Sequence, residues 1–277
     1  MITPDYSIIS PDMDALAASQ CRLLIKVNGQ FLHYIIIYNN NTVAALKYYQ
    51  FAPVGEKAIT EWLEELIASD DLLKREWAAV DIIYAVPENQ LIPAALFDDN
   101  YARELSNITN GDLNKDVLLT GKPNGATVYS IFQVPTEMHR FFLSHFPSAS
   151  NVHYYDLWMQ EDKQHGIQAV FYPNELLVKV TKEDKLQIIQ NYTYQTPEDA
   201  AYYLLALYAQ YDLSPEEVTL QISGMIVRDS AIYNELLKYF RNIETLVASA
   251  SLILAAGFDD YPAHFFSPVL NLAVCAS

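Results

Sequence analysis

Residues 21–51 read CRLLIKVNGQFLHYIIIYNNNTVAALKYYQF, and this stretch decides the fold. Cys21–Val27 is a β-rich apolar run, and Asn28-Gly29 after it is a strong hairpin signal. Phe31–Tyr38 is apolar almost without interruption, the pattern of a strand covered on both faces. Asn39-Asn40-Asn41 makes the next turn, because Asn tolerates positive φ and bonds to its own backbone. Val43–Phe51 is then a third strand. Pro53 and Gly55 break the pattern before a helix whose apolar face is Ile59, Trp62, Leu63, Leu66 and Ile67.

The same order returns at GIQAVFYPNELLVKVTKEDKLQIIQNYTY, residues 166–194. Strands at Gly166–Tyr172, Leu176–Thr181 and Leu186–Tyr194 are separated by turns at Pro173-Asn174 and Lys182-Glu183-Asp184. Thr196-Pro197-Glu198-Asp199 starts a helix, with Thr as N-cap, Pro at N1 and Asp at N3. Corresponding turns lie roughly 140 residues apart, close to the usual domain size.

Each copy continues into a buried strand, at Ala79–Val86 and at Val218–Ser223. A helix over 229–240 closes the second, with Ile232, Leu236, Leu237 and Phe240 inward. Residues 88–125 hold Asn110-Gly111 and the Gly121–Gly125 turn and read as a loop-rich insertion. After them come a strand at Thr127–Val134, a helix from Thr136 to Phe146 and a strand at Asn151–Leu157. The hydrophilic stretch Gln160–His165 sets the boundary, giving domains at 1–160 and 161–277.

Composition narrows the classes. Hydrophobic residues at 51% and charged residues at 18% supply a packed core. A net charge of −17, with no basic stripe, excludes nucleic acid and anionic membrane surfaces as partners. No apolar run reaches bilayer length, and the first basic residue is Arg22, so a cytoplasmic protein without membrane insertion is expected. Cys21 and Cys275 read as small buried hydrophobes. Tyrosine is abundant at 20 residues and often paired (Tyr48-Tyr49, Tyr154-Tyr155, Tyr202-Tyr203). On strands each pair points one ring inward and one outward; the outward rings cap sheet edges and core rims, and the alternative is a surface for a protein partner or a homodimer.

Chemical motifs are scarce. Asp112–Asp116 starts like a calcium loop, but Val117 and Pro123 stand where Gly and Glu are needed. Six histidines show no metal-ligand spacing, so neither a metal nor a cofactor is expected. Asp98-Asp99 and Asp259-Asp260 are neighbours in sequence and read as turn residues.

Two copies of three strands, helix, strand and helix resemble the duplicated ribonuclease-H-like fold of the actin-like ATPase superfamily. The layout is similar to its compact bacterial members that assemble with pili and secretion machinery. Ile222-Ser223-Gly224-Met225-Ile226, Ser230-Ala231-Ile232-Tyr233 and His264-Phe265-Phe266 resemble a bacterial family of unknown function assigned that fold. The resemblance implies an α/β protein with a crevice between two ribonuclease-H-like subdomains. Three loops would face it, holding Asn28 and Gly29, Asn174 and Glu175, and Ser223 and Gly224.

In that superfamily the first two loops carry Asp and Gly, whose amides cradle phosphate while Asp orders magnesium-bound water. Here Asn28 replaces the first Asp and keeps Gly29. The second turn has Pro173 and no Gly, and Pro lacks an amide hydrogen. The third loop has a single glycine, Gly224. The expectation is a non-catalytic scaffold with a degenerate nucleotide site. The alternative is a sensor that binds a nucleotide or another small ligand in the crevice.

Overall fold

The third strand of each repeat leads back, through an amphipathic helix, to a strand parallel with the first. The computed structural model describes residues 2–39, 41–51, 58–98, 103–106, 108, 116–121, 128–160 and 165–275. In the first unit β1 (Tyr6–Ile9) precedes the antiparallel meander β2 (Cys21–Val27), β3 (Phe31–Tyr38) and β4 (Thr42–Gln50). Helix α1 (Ile59–Ser69) crosses to β5 (Ala79–Tyr84), which pairs parallel to β2. A small sheet follows, formed by β6 (Asn89–Pro93), β7 (Asp116–Gly121) and β8 (Val128–Pro135) in the order β6-β8-β7. Then come α2 (Thr136–His145), β9 (Ser150–His153) parallel to β5, and the short α3 (Tyr154–Trp158).

The second unit is built from β10 (Gly166–Phe171), β11 (Glu175–Lys182), β12 (Lys185–Thr193), α4 (Pro197–Gln210), β13 (Leu220–Gly224), α5 (Ala231–Leu236) and β14 (Ile243–Thr245). Its sheet order is β12-β11-β10-β13-β14, matching β4-β3-β2-β5-β9 of the first unit strand for strand. Both sheets combine an antiparallel meander with two parallel additions. The compact units comprise residues 1–160 with 252–257 and 275–277, and residues 161–251 with 258–274. The stretch 252–257 returns to the first sheet, where β15 (Ile253–Leu254) pairs with β4.

Burial explains why these segments are strands. From Phe31 to Ile37 every side chain of β3 is buried, as its continuous apolar run requires. One face of α1 meets that sheet through Leu63 and Leu66, with Ile59, Trp62 and Ile67 partly buried against the same core. The helix α4 begins with a complete capping box: Thr196 accepts from the Asp199 amide, and the Asp199 carboxylate accepts from the Thr196 amide. Where α1 ends, Asp70 is 4% exposed and accepts from Tyr34 Oη (2.7 Å), Tyr49 Oη (2.6 Å) and Lys47 Nζ (3.0 Å). Burial first, then the Asp70 charge and bond, push both phenols far above the usual tyrosine range.

Three expectations need correction. The stretch 88–125 contributes β6 and β7 rather than loop alone, because half-buried positions such as Leu118 and Leu119 pair across to β8. Tyr48-Tyr49 and Tyr154-Tyr155 are buried in both members, the former because its strand is covered on both faces and the latter because it starts a packed helix turn. Tyr202-Tyr203 leaves one ring largely outside, with Tyr202 68% exposed. Leu237 is 54% exposed, because the α-helix stops at Leu236 and the inward positions pass to Leu236 and Phe240. Most of Gln160–His165, the Asp112–Asp116 stretch up to Lys115, and the Gly121–Gly125 turn beyond Gly121 lie outside the described residues. No described helix is long and apolar enough to cross a membrane.

Candidate functional site

In an open α/β sheet, ligands bind beyond the carboxyl ends of the parallel strands. In the first unit that end carries the Val27-Asn28-Gly29-Gln30 turn. Asn28 is 2% exposed, and its Oδ1 accepts from the amides of Gln30 (2.7 Å) and Phe31 (2.9 Å). Its own amide donates to Phe31 O at 3.1 Å. The amides that a phosphate-binding turn would offer outward are thus drawn onto the turn's own side chain. Gly29 is exposed, and a Cβ there would meet nothing within 4 Å.

The second unit brings its two loops together at the same end of neighbouring strands. Val170 stands opposite Ser223 and Phe171 opposite Gly224 in the β10–β13 register. At the β10–β11 turn, the Tyr172 amide donates to Glu175 O (2.8 Å) and the Tyr194 amide to Asn174 O (3.1 Å). Asn174 is exposed, whereas Glu175 is 6% exposed and opens β11. Ser223 is buried. Gly224 has φ +86°, and a Cβ on it would lie 2.4 Å from Phe171 O and 3.0 Å from Phe171 N. The local amides are again in use: Gly224 donates to His264 O (3.0 Å) and Met225 to Phe171 O (2.7 Å). His264 in turn bonds Ile226 O through Nε2 at 2.7 Å. The single glycine of this loop serves a close backbone approach within the unit.

Sequence reasoning missed two buried groups of the first unit. Lys26, one residue before β2 ends, is fully buried, with Nζ 3.7 Å from the Tyr154 ring centroid. Beside it His153 accepts from the Tyr155 amide at Nδ1 (3.1 Å) and so donates from Nε2 to Val86 O (3.0 Å). Burial above all, with the Lys26 charge adding to it against the Val86 bond, brings the His153 pKa down to about 3, so the ring is neutral. A lone lysine inside the apolar run CRLLIKV was the available signal.

The second group is Asp156, 3% exposed on α3. Burial pushes its carboxyl up to about 6. The Ser130 hydroxyl and the His153 backbone pull it the other way, but among the described residues neither carboxyl oxygen has a partner in bonding geometry. Gly121 packs against it so closely that a Cβ there would lie 1.9 Å from Asp156 Oδ2.

A cleft of about 700 Å³ opens elsewhere in the first unit, at the amino ends of β5 and β9. Asp81, Ser150, Trp77 and Arg75 line it, and none of the six loop residues does. Of its lining charges, Asp81 bonds Arg22 and Ser150, and Arg75 bonds Asp14. Among the described residues no three His, Cys, Asp or Glu side chains gather where a metal could sit.

The family model described as "Protein of unknown function (DUF3822)" matches residues 10–243. The chain belongs to this family. A Bacteroides thetaiotaomicron protein with actin-like ATPase fold and unknown function is similar to it, with a TM-score of 0.77 at 17% identity over 93% of this chain and 97% of that one. The ethanolamine utilization protein EutJ from Carboxydothermus hydrogenoformans gives 0.50 at 8% identity, covering 92% and 89%. The cytoplasmic domain of EpsL, from the type II secretion system of Vibrio cholerae, gives 0.47 at 14%, covering 92% and 94%. No curated protein matches. This DUF3822 member therefore has the actin-like ATPase fold, as its repeated strand order requires.

Proposed function

We propose that this protein is a non-catalytic scaffold, a protein-interaction module of the cytoplasm that keeps the actin-like ATPase fold without its phosphate chemistry. One observation carries the reading: four amides of the first and third loops are already bonded within the protein. Gln30 and Phe31 donate to Asn28, Gly224 to His264 and Met225 to Phe171. A phosphate would have to displace those acceptors, and the first turn offers an amide where the superfamily uses a carboxylate. A fold alone does not specify an activity, so the reading stands on these loops.

The rival reading is a sensor that binds a nucleotide or other small ligand, and exposed Gly29, with open space around it, favours it. A thermal-shift titration with Mg²⁺-ATP and Mg²⁺-ADP separates the two. Ligand at a hundred times its Kd would stabilise by about 2.7 kcal/mol, which is a rise of roughly 5–10 °C for a unit of this size. The scaffold reading expects no shift. A saturable rise that an Asn28→Ala variant alters would overturn it.

A further inference from the structure

The two units repeat one sheet but do not repeat its edge. In the first unit the third strand is covered. β1 runs antiparallel to β4, with Tyr6 opposite Tyr48 and Ile9 opposite Ala45, and β15 runs parallel, with Ile253 opposite Thr42. The counterpart in the second unit, β12, is nine residues long and pairs only with β11 among the described residues.

The direction of its free groups follows from one bond. Tyr194 donates to Asn174 O, so the alternation of an antiparallel ladder turns Tyr192, Gln190 and Ile188 toward β11. The amides and carbonyls of Ile189, Asn191 and Thr193 then face the open edge. Gln190 Nε2 reaches round to the Asn191 carbonyl at 3.3 Å, a side chain standing in for an absent strand. Proteins usually guard such an edge with charge or proline. Leu186–Thr193 has neither. An aromatic cluster flanks it: Tyr192 stacks on Tyr203 at 4.6 Å and 18°, and Tyr202 meets Tyr203 edge-on at 5.9 Å. Amphipathic rings of this kind are enriched where proteins meet.

We infer that the β12 edge, with Tyr192, Tyr202 and Tyr203, is a homodimer interface at which a second copy adds its own β12 antiparallel across a two-fold axis. At a net charge of −17 two copies repel over most of their surfaces, and Leu186–Thr193 is an uncharged strip along which that repulsion is least. The strip also complements itself. Two-fold pairing near Ile189 and Gln190 sets Leu186 and Ile188 against the half carrying Gln190 and Tyr192, and no like charges face each other. Such a contact is isologous, the commonest closed assembly. It goes beyond the scaffold reading and holds whether or not the loops bind a nucleotide.

Sedimentation equilibrium of the full chain tests it, with wild type expected at twice the monomer mass. Asn191→Pro removes one outward amide and leaves the β11 ladder intact, since proline is tolerated on an edge whose N–H faces outward. Gln190→Lys sets like charges beside the axis. Each variant is expected to weaken the dimer by about a hundredfold or more, and Gln190→Lys keeps the test readable if the proline disturbs folding. Hydrogen exchange adds a local readout: the Ile189, Asn191 and Thr193 amides are protected in wild type and lose that protection in monomeric Gln190→Lys. A wild type that stays monomeric, a dimer indifferent to both variants, or unprotected edge amides in the dimer overturns the proposal.

Discussion

Gly224→Ala asks whether the glycine of the third loop belongs to a ligand or to the fold. At φ +86° any side chain is strained, by about 1–2 kcal/mol for alanine. The new Cβ would lie 2.4 Å from Phe171 O, a backbone atom that cannot swing aside as a side-chain tip can. Overpacking of that kind costs about 1–3 kcal/mol. Moving the Phe171 carbonyl also loosens the 2.7 Å bond from Met225, worth about 1 kcal/mol net. The lower entropy of the unfolded alanine chain offsets about 0.4–1 kcal/mol. The net loss is roughly 3 kcal/mol or more, beyond the range of most single substitutions.

The assay is urea unfolding without nucleotide, with hydrogen exchange of segments 166–172 and 220–226 placing the loss in the second unit. Trp62, Trp77 and Trp158 all lie in the first unit, so tryptophan fluorescence separates that unit's transition. A loss of 3 kcal/mol moves the second unit's midpoint down by roughly 1–3 M urea, with the slope unchanged. Gly29→Ala is the control, with no neighbour within 4 Å and an expected change inside about 0.5 kcal/mol. If Gly224→Ala matches wild type in ligand-free protein, the contact with Phe171 does not explain the glycine, and a role toward a bound group regains its standing.

Other outcomes follow from Asp156 and its surroundings. Gly121→Ala drives a Cβ into Asp156 Oδ2 and toward Ser130 Oγ, so it should cost about 1–3 kcal/mol, and much less in an Asp156→Ala background when a double-mutant cycle is run by chemical denaturation. Because the folded Asp156 pKa is raised from 3.8 to about 6, the folded state binds more protons than the unfolded one between those values. Its contribution to stability is therefore most favourable below about pH 4, falls as pH rises through about 6, and stays low above. Against Asp156→Asn, wild type should lose about 2–3 kcal/mol across that window. Melting temperatures of the two proteins from pH 4 to 7 check this, and parallel curves would refute it.

Much of the fold was legible because its signals are local and redundant. Asn28-Gly29 closes a hairpin, Phe31–Ile37 is apolar because it is covered on both faces, and Thr196-Pro197-Glu198-Asp199 is a complete helix start. Failures came where a side chain's surroundings are set by distant chain. Turn residues around 110 and 125 masked the half-buried pairing that makes β6, β7 and β8 a sheet. Tyr154-Tyr155 looked like an in-and-out pair because period-two reasoning presumes a strand, and the residues begin a helix turn. Lys26 could be seen in the run, but the Tyr154 ring over it comes from a distant part of the chain.

The turns that hold the candidate residues were legible in the sequence; their local bonding was not. Sequence shows that Gly29 and Gly224 are glycines; the fold shows that a side chain at Gly29 would point into open space while one at Gly224 would meet the Phe171 backbone. The two glycines therefore have opposite physical roles, Gly29 in the β2–β3 turn and Gly224 at the end of β13. Asn28 is a similar case. As a departure from the superfamily it removes a carboxylate, but in the fold it supplies the acceptor that holds the Gln30 and Phe31 amides. A turn that satisfies its own donors needs no anion to stay ordered. At the first turn the Gln30 and Phe31 amides bond to Asn28, and at the end of β13 the Gly224 and Met225 amides bond to His264 and Phe171, so these four donors are satisfied within their own units.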